Sequence, residues 1–208
     1  MKKLAAVMGV GVIMLELAGI AQAAVVINEV FYDAVGIDTG KEWIELKNTG
    51  VSSETITGYD LNVVSGDYYT FPALTVPAGC FVIVYWRKDG TNDTDFSDNV
   101  AHLYTGTSGF DANMGDTKGW VALFNSTTHS SSTIIDYMEY GAGGQTWESA
   151  AVSAGIWTAG DYATDVNPGN SLEYDGSGNT GADWFDQSVP TPGADNSLPV
   201  TLTSFTAT

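Results

Sequence analysis

The sequence predicts an all-β fold in which short strands pack as a sandwich. Short runs of alternating or wholly apolar residues recur along the chain, separated by turn-forming residues. The chain holds 24 glycines and six prolines, residues that commonly end strands and form turns. No segment after residue 23 shows a sustained helical period or a repeat of solenoid or propeller length. Together these observations favour a β-sandwich.

Residues 1–23 have the features of a secretory signal peptide. Lysines at positions 2 and 3 precede an apolar stretch at 4–20, and the small-residue cleavage pattern A-Q-A ends at Ala23. A membrane anchor is the alternative interpretation, but Glu16 inside the apolar stretch argues against it. We therefore expect cleavage after Ala23, a secreted or cell-surface mature protein, and no transmembrane segment after that cleavage.

The charge balance argues against nucleic-acid partners. The formal net charge is -18. Removal of residues 1–23 takes away two lysines and one glutamate and leaves a still more acidic chain. An acidic surface repels phosphate backbones and anionic lipids. The single cysteine, Cys80, precedes an apolar run and is expected to be a small buried hydrophobe, with no internal disulfide.

The mature chain is expected to open with two strands, at 25–32 and 42–48. In the second run, apolar Ile44 and Leu46 recur with a period of two, which is typical of a half-buried strand. The tripeptide at 48–50, Asn-Thr-Gly, supplies turn chemistry. Further strands are predicted at 59–64, 68–71, 81–86, 102–104, 119–125, 133–140 and 171–174.

The segments between these strands differ in character. The unbroken apolar run at 81–86 predicts a central strand covered on both faces. Residues 89–116 form a polar excursion, and the short polar connector at 126–132 predicts a hairpin. Residues 141–170 are expected to be irregular and pinned to the sandwich by aromatic side chains.

Several motifs, taken in order, resemble the lamin-tail domain, and in particular its secreted bacterial branch. They are I-N-E-V at 27–30, E-W-I-E-L at 42–46 with Asn48 and Gly50, Gly58 with Leu61, F-P at 71–72 with Leu74 and P-A-G at 77–79, G-W-V-A-L-F-N at 119–125, and the closing S-L-E-Y at 171–174, D-W at 183–184 and P-T-P-G-A-D-N at 190–196. The resemblance implies an immunoglobulin-like β-sandwich at 24–196, between the signal peptide at 1–23 and a C-terminal linker or remnant at 197–208.

The resemblance implies a fold but no particular partner. Nuclear lamins attach this domain to a coiled-coil rod, and no heptad region occurs in this chain. The DNA and chromatin contacts of lamins are not expected here, because the chain lacks a basic patch.

Buried-looking glutamates in the first two strands have two interpretations. Glu29 and Glu45 could form half of a metal or sugar site. Alternatively, they and Glu42 accept hydrogen bonds from backbone N–H or tyrosine O–H groups, as buried carboxylates must if they are not otherwise paired. With no histidine nearby in the sequence, the structural interpretation is favoured.

Two polar loops are candidate calcium sites, because calcium prefers clustered oxygen ligands. The alternative for both is a solvated loop whose side chains cap their own backbone. The second loop lacks the glycine and the glutamate that an EF-hand requires at its sixth and twelfth positions. Apart from possible calcium, no cofactor is predicted. The candidate ligands are Asp89, Asn92, Asp93, Asp95 and Asp98 in one loop and Asp175, Ser177, Asn179 and Asp183 in the other.

The sequence contains no recognisable catalytic motif. Four aromatic residues, Trp147, Trp157, Tyr162 and Trp184, could stack on sugars, although core filling is the simpler explanation. We therefore expect a secreted, non-catalytic lamin-tail module that acts as an adhesion domain or as a protein or glycan interaction domain, at the cell surface or outside the cell. The alternative is an accessory domain of an extracellular hydrolase or nuclease system.

Overall fold

A computed structural model describes residues 25–197. The predicted signal peptide and nearly all of the predicted C-terminal remnant lie outside this range. One α-helix, α1, covers Glu148–Ala154, and a 3-10 helix covers Gly181–Asp183. The strands are β1 (Val25–Phe31), β2 (Trp43–Asn48), β3 (Glu54–Thr55), β4 (Asp60–Val64), β5 (Asp67–Thr70), β6 (Thr75–Val76), β7 (Phe81–Tyr85), β8 (Val100–Tyr104), β9 (Gly119–Phe124), β10 (Ile134–Tyr140), β11 (Ser171–Tyr174) and β12 (Trp184–Gln187).

The strands form two main sheets that enclose one apolar core. The larger sheet has the order β12-β11-β1-β2-β7-β8, and the smaller has the order β10-β9-β4-β5. A separate pair, β3-β6, lies beside them. Neighbouring strands are antiparallel except β7 and β8, which run parallel. Because side chains from both sheets join a single buried cluster, the predicted all-β sandwich is confirmed.

Strand β2 is buried on both faces, so the prediction of a half-buried strand was wrong. Ile44 and Leu46 are fully buried in the core between the sheets. On the opposite face, Trp43 packs in a second apolar cluster, and Glu45 is also fully buried. A later part of the chain covers this outer face. Alternation of residue types along β2 therefore separates two buried environments rather than core from solvent.

Strand β7 is covered on both faces, as predicted. Val82 and Val84 pack in the core between the sheets, whereas Phe81 and Ile83 pack in the outer cluster. The predicted hairpin between β9 and β10 is also confirmed by their antiparallel pairing. The polar excursion returns to the large sheet through β8, which begins two residues before the predicted strand.

Helix α1 lies within the segment expected to be irregular. It has seven residues, too few for a helical period to stand out in the sequence, and Ala151 is its fully buried residue. The aromatic pinning predicted for this segment is found at Trp157, which is buried, and at Trp147, whose ring lies 5.1 Å from that of Phe124. Across residues 25–197, no helix is long and apolar enough to span a bilayer.

Candidate functional site

Three glutamates stand side by side across the outer face of the large sheet. Glu29 on β1 pairs directly with Glu173 on β11 and with Glu45 on β2. All three side chains belong to residues with no solvent exposure. Like charges on neighbouring strands repel, and burial removes the water that would screen them. This glutamate row therefore requires hydrogen-bond donors from elsewhere in the chain.

The donors come from residues 188–197, here called the closing segment, which crosses the row. Each glutamate accepts one backbone N–H from it. Thr191 N donates to Glu29 Oε1 at 3.1 Å, and Gly193 N donates to Glu45 Oε2 at 2.5 Å. Ser197 N donates to Glu173 Oε2 at 2.9 Å. The row thus fastens the closing segment onto the sheet.

Side chains supply further donors to the same carboxylates. The Ser171 hydroxyl donates to Glu29 at 2.5 Å, and the Thr191 hydroxyl donates to Glu173 at the same distance. Asn28 Nδ2 donates to Glu45 Oε1 at 2.7 Å. These contacts favour the structural interpretation of Glu29 and Glu45 over a metal or sugar site, because their oxygens serve internal donors.

Burial is the largest influence on the pKa values of Glu29 and Glu45. It raises the pKa of Glu29 from 4.5 to about 7, with the Glu173 charge adding to the rise. Burial likewise raises the pKa of Glu45 from 4.5 to about 8, with the Glu29 charge adding to it. The hydrogen bonds just described oppose both increases. Desolvation therefore outweighs the donors at Glu29 and Glu45, and both carboxyls hold their protons to a higher pH than a free glutamate does.

Close packing at Gly193 seats the closing segment. Its φ is 82°, a conformation that favours glycine. A Cβ at this position would lie 2.9 Å from Val100 Cγ2. Any larger residue would therefore push the segment away from β8 and weaken the bond to Glu45.

A further buried glutamate, Glu42, lies just before β2 at the C-terminal end of β1, where three loops meet. These loops, residues 32–42, 110–118 and 163–170, are called the loop end. Glu42 has no solvent exposure, and its Oε2 accepts the N–H of Met114 at 3.1 Å. Its Oε1 is buried without a partner, as is Oδ1 of Asp38. Burial, followed by the charges of Asp38 and Asp116, raises the pKa of Glu42 to about 8.

The loop end also exposes apolar side chains. Val35 and Ile37 are 70% and 76% exposed at the tip of the loop between β1 and β2. The base of this loop is ordered, since Lys41 Nζ donates to the carbonyl of Val35 and Gly169 N donates to the carbonyl of Asp33. Two apolar residues are thus presented to solvent on a supported loop.

The first predicted calcium loop uses its oxygens to hold its own backbone. Asp93 Oδ1 accepts the N–H of Asp95, and Asp95 Oδ1 accepts that of Ser97. The other three candidates also accept main-chain donors: Asp98 from Val100, Asp89 from Thr107 and Asn92 from Tyr104. For Asp93, Asp95 and Asp98 this is the turn geometry given above as the alternative interpretation, whereas Asp89 and Asn92 hold the chain at Thr107 and Tyr104.

The second predicted calcium loop has a similar arrangement. Asp175 Oδ1 accepts the N–H and the hydroxyl of Ser177, and Asp183 Oδ2 accepts the N–H of Thr180. Asn179 lines a small neighbouring cavity. Within residues 25–197, no three His, Cys, Asp or Glu residues gather as a ready-made metal site. Calcium in either loop stays a prediction.

The aromatic residues proposed for sugar stacking are mostly part of the core. Trp157 and Trp184 are 5% and 8% exposed. They line, with Asp136 and Tyr174, a cavity of about 10 Å³. That volume holds roughly one water molecule, so a sugar ring does not fit. Tyr162 is the one exposed member of the proposed set, at 46%.

The structure pairs His129 with an acid that the sequence does not indicate. Its Nε2 lies 2.8 Å from Asp60 Oδ2, and its ring stacks on that of Tyr68 at 3.9 Å. Asp60 also accepts the hydroxyl of Thr70. These contacts join β4, β5 and the hairpin after β9, and they account for His129 structurally. Cys80 is buried, as expected for a small hydrophobe.

Comparison with protein families gives one match. The model described as Lamin Tail Domain matches residues 19–142, more than half of the chain. The matched region includes β1 to β10 and the loops at 32–42 and 110–118. No match is found among the curated proteins.

Proposed function

The chain belongs to the lamin tail domain family, and from this premise we propose that it is a secreted, non-catalytic module that binds a protein partner at the cell surface or outside the cell. The family's domain is an immunoglobulin-like, non-enzymatic β-sandwich. Function in such folds resides in the residues that the scaffold displays rather than in the scaffold itself.

The exposure of Val35 and Ile37 is the observation that supports a binding role. Most large apolar side chains of residues 25–197 are buried, yet these two neighbours are more than two thirds exposed. Loops at the ends of a sandwich are the usual binding elements of immunoglobulin-like domains, because the sheets hold them in place. Exposed apolar residues in such a position favour contact with another protein.

The charged side chains near Val35 and Ile37 favour a partner with basic groups. Asp33, Asp38, Asp116 and Asp165 lie at the loop end and outnumber its two lysines, Lys41 and Lys118. Opposite charges steer association and discourage wrong partners. The surface therefore fits a partner that presents basic groups around an apolar contact, and a neutral glycan would make no use of the charges.

Secretion, and membership of the family's secreted bacterial branch, rest on the sequence. The lysine-led apolar stretch at 1–23 supports secretion. The closing P-T-P-G-A-D-N at 190–196 supports membership of the secreted bacterial branch. Expression in the producing cell, followed by N-terminal sequencing of the exported protein, tests the first part. We expect Ala24 as the first residue, and retention of the intact chain inside the cell would contradict export.

A matched pair of variants tests the binding surface. We expect the unmodified chain to capture a protein from the surface fraction of the producing cells, with capture weakening as salt increases. The double variant Val35→Ser/Ile37→Ser should reduce affinity for that protein about tenfold or more, since removal of central apolar contacts commonly has such an effect.

The control is Val51→Ser, because Val51 is fully exposed but lies in the turn at the opposite end of β1. It should bind as the unmodified chain does. Equal binding by all three proteins would show that the loop end is not the contact surface. Capture that is insensitive to salt would contradict the basic character of the partner.

A further inference from the structure

The closing segment is held on the large sheet in part by side chains that can change their charge. Residues 188–197 contain no strand, and their N–H groups bond to the glutamate row, Glu29, Glu45 and Glu173. These glutamates lie side by side on neighbouring strands and have no solvent exposure. The attachment of the segment therefore depends on the charge of adjacent buried carboxyls. This dependence is separate from the protein partner proposed at the loop end.

One hydroxyl lies between two members of the row. Thr191 Oγ1 is 2.5 Å from Glu173 Oε1 and 3.5 Å from Glu29 Oε2. A hydroxyl has a single proton to donate, whereas its oxygen can accept a hydrogen bond from a protonated carboxyl. Thr191 therefore cannot donate to both acids when both are ionised, but it bridges them when one of them retains a proton. That proton also removes the repulsion between two carboxylates on adjacent strands.

Within residues 25–197, the other titratable groups that face the row offset little of its charge. They are Lys47 on β2, Tyr85 on β7, His102 on β8 and Asp195 on the closing segment. The charge of Lys47 acts on Glu45, but the Lys47 ammonium already lies 2.6 Å from Asp195 Oδ1. His102 is separated from Glu45 by Ile83 in the strand register. Tyr85 adds no positive charge, and burial raises the pKa of its hydroxyl.

Opening of the segment changes the environment of these acids. While the segment is closed, burial raises the pKa of Glu29 from 4.5 to about 7 and that of Glu45 from 4.5 to about 8. When the segment is lifted, water reaches both carboxyls, and each pKa returns toward its ordinary value. At pH values between 4.5 and the raised pKa values, the closed form therefore binds more protons than the open form. Opening becomes more favourable as pH rises.

We propose that the closing segment is a proton-controlled strap, which lies on the large sheet while the glutamate row retains protons and lifts from the sheet as those protons are lost. The sandwich itself stays folded, because the core between the two sheets includes no residue of 188–197.

Lifting of the strap uncovers part of the outer apolar cluster. Gly193 lies against Val100, since a Cβ on Gly193 would be 2.9 Å from Val100 Cγ2. Val100 is 7% exposed and packs in that cluster. A rise in pH therefore exposes apolar surface on the outer face of the large sheet, and a fall in pH covers it again.

Backbone amide hydrogen exchange of the full chain, followed by NMR between about pH 6 and about pH 8.5, tests the proposal. Each exchange rate is divided by that of an unstructured peptide at the same pH, so that ordinary base catalysis cancels. We expect the protection of the Gly193 N–H to fall about tenfold or more over this range. It should stay well below the protection of the Leu46 N–H on β2 at every pH, because the strap opens without unfolding of the sandwich.

Variants assign the pH dependence to the row. Glu29→Gln/Glu45→Gln should abolish most of the fall at Gly193, because glutamine keeps an acceptor oxygen but cannot ionise. Glu45→Gln alone should reduce the fall, and it serves if the double variant does not fold. Asp95→Asn, at an exposed acid of the polar excursion, should keep the full fall.

Three results would overturn the proposal. The first is a Gly193 protection that does not change with pH in the unmodified chain. The second is a protection equal to that of Leu46, which would mean that the segment leaves only when the whole domain unfolds. The third is a fall that persists undiminished in the glutamine variants or disappears in Asp95→Asn.

Discussion

At the scale of single residues, burial alone does not describe what a side chain contributes. Leu46 and Glu45 are neighbours on β2, and both have no solvent exposure. Leu46 packs in the core between the sheets, where apolar area removed from water stabilises the fold. Glu45 faces the other way and is tolerated because Asn28 and Gly193 donate hydrogen bonds to it. Replacement of Leu46 should therefore remove apolar packing, whereas replacement of Glu45 should change hydrogen bonding and charge.

Replacement of Leu46 by alanine should lower the free energy of unfolding by about 2–5 kcal/mol, because it leaves a cavity between two closely packed sheets. Chemical denaturation followed by tryptophan fluorescence measures this change. Val51→Ala is the control, since Val51 is fully exposed and should change stability by less than about 0.5 kcal/mol. An unchanged midpoint for Leu46→Ala would exclude Leu46 from the stabilising core.

At the scale of elements, the closing segment acts as an additional layer on the large sheet. It forms no strand, yet its backbone N–H groups bond to all three members of the glutamate row. Asn196 provides a second fastening point. Its Nδ2 donates to the carbonyls of Asn28 and Tyr174 at 2.8 and 2.7 Å, and its Oδ1 accepts from Asn28 Nδ2 at 2.9 Å.

Asn196→Ala should destabilise the protein by about 1–3 kcal/mol, because the Asn28 and Tyr174 groups lose partners in a water-poor region. The neighbouring Asp195→Ala is the matched control. Asp195 is 84% exposed in its pair with Lys47, and exposed pairs contribute little. Thermal melting of both variants measures the difference, and an equal loss in the two would contradict a special role for Asn196.

Deletion of 198–208, which removes most of the remnant predicted at 197–208, should leave the melting temperature unchanged.

At the scale of the whole molecule, an acidic chain buries glutamates whose pKa values are raised. The formal net charge is -18, and Glu29 and Glu45 have pKa values raised from 4.5 to about 7 and about 8. At pH values between 4.5 and these raised pKa values, the folded state binds more protons than the unfolded state. Stability therefore falls as pH rises. The self-repulsion of a net negative chain acts in the same direction.

We expect the midpoint of chemical denaturation to fall steadily between about pH 5 and pH 8. Glu45→Gln should make this fall shallower, because glutamine cannot lose a proton and still accepts the N–H of Gly193. Substitution of the exposed Asp95 by asparagine should leave the slope nearly unchanged, which separates the buried group from general charge. A midpoint that rises with pH would contradict the raised pKa values.

Much of this fold was predictable because its signals are local. Apolar runs and turn residues indicated most of the strands, including β7 with its two buried faces. The parallel pairing of β7 with β8 was not predictable, since it depends on how the polar excursion folds back. Helix α1 was too short to give a period.

The site was only partly predictable for a related reason. Glu29, Glu42 and Glu45 stand out in the sequence as acids among apolar residues. Their partners do not, because Glu173 and Thr191 are far away along the chain and meet Glu29 only when β11 pairs with β1. Likewise, the approach of Asp38 and Asp116 to Glu42 depends on the conformation of loops, which leaves no periodic pattern in the sequence.

The position of residue 25 on β1 determines which end of the module an N-terminal tether leaves free. The described chain begins at Val25 on β1, and Asn196, near its end, bonds to Asn28 on that same strand. The loop end lies beyond the opposite end of β1, which spans seven residues, roughly 20 Å. A tether attached at residue 25 would therefore hold the module at the end of β1 that is remote from the loop end, and would leave the loop end facing away from the anchoring surface. Residue 197 lies further along the same strand, because Ser197 N bonds to Glu173, the partner of Glu29 on β1.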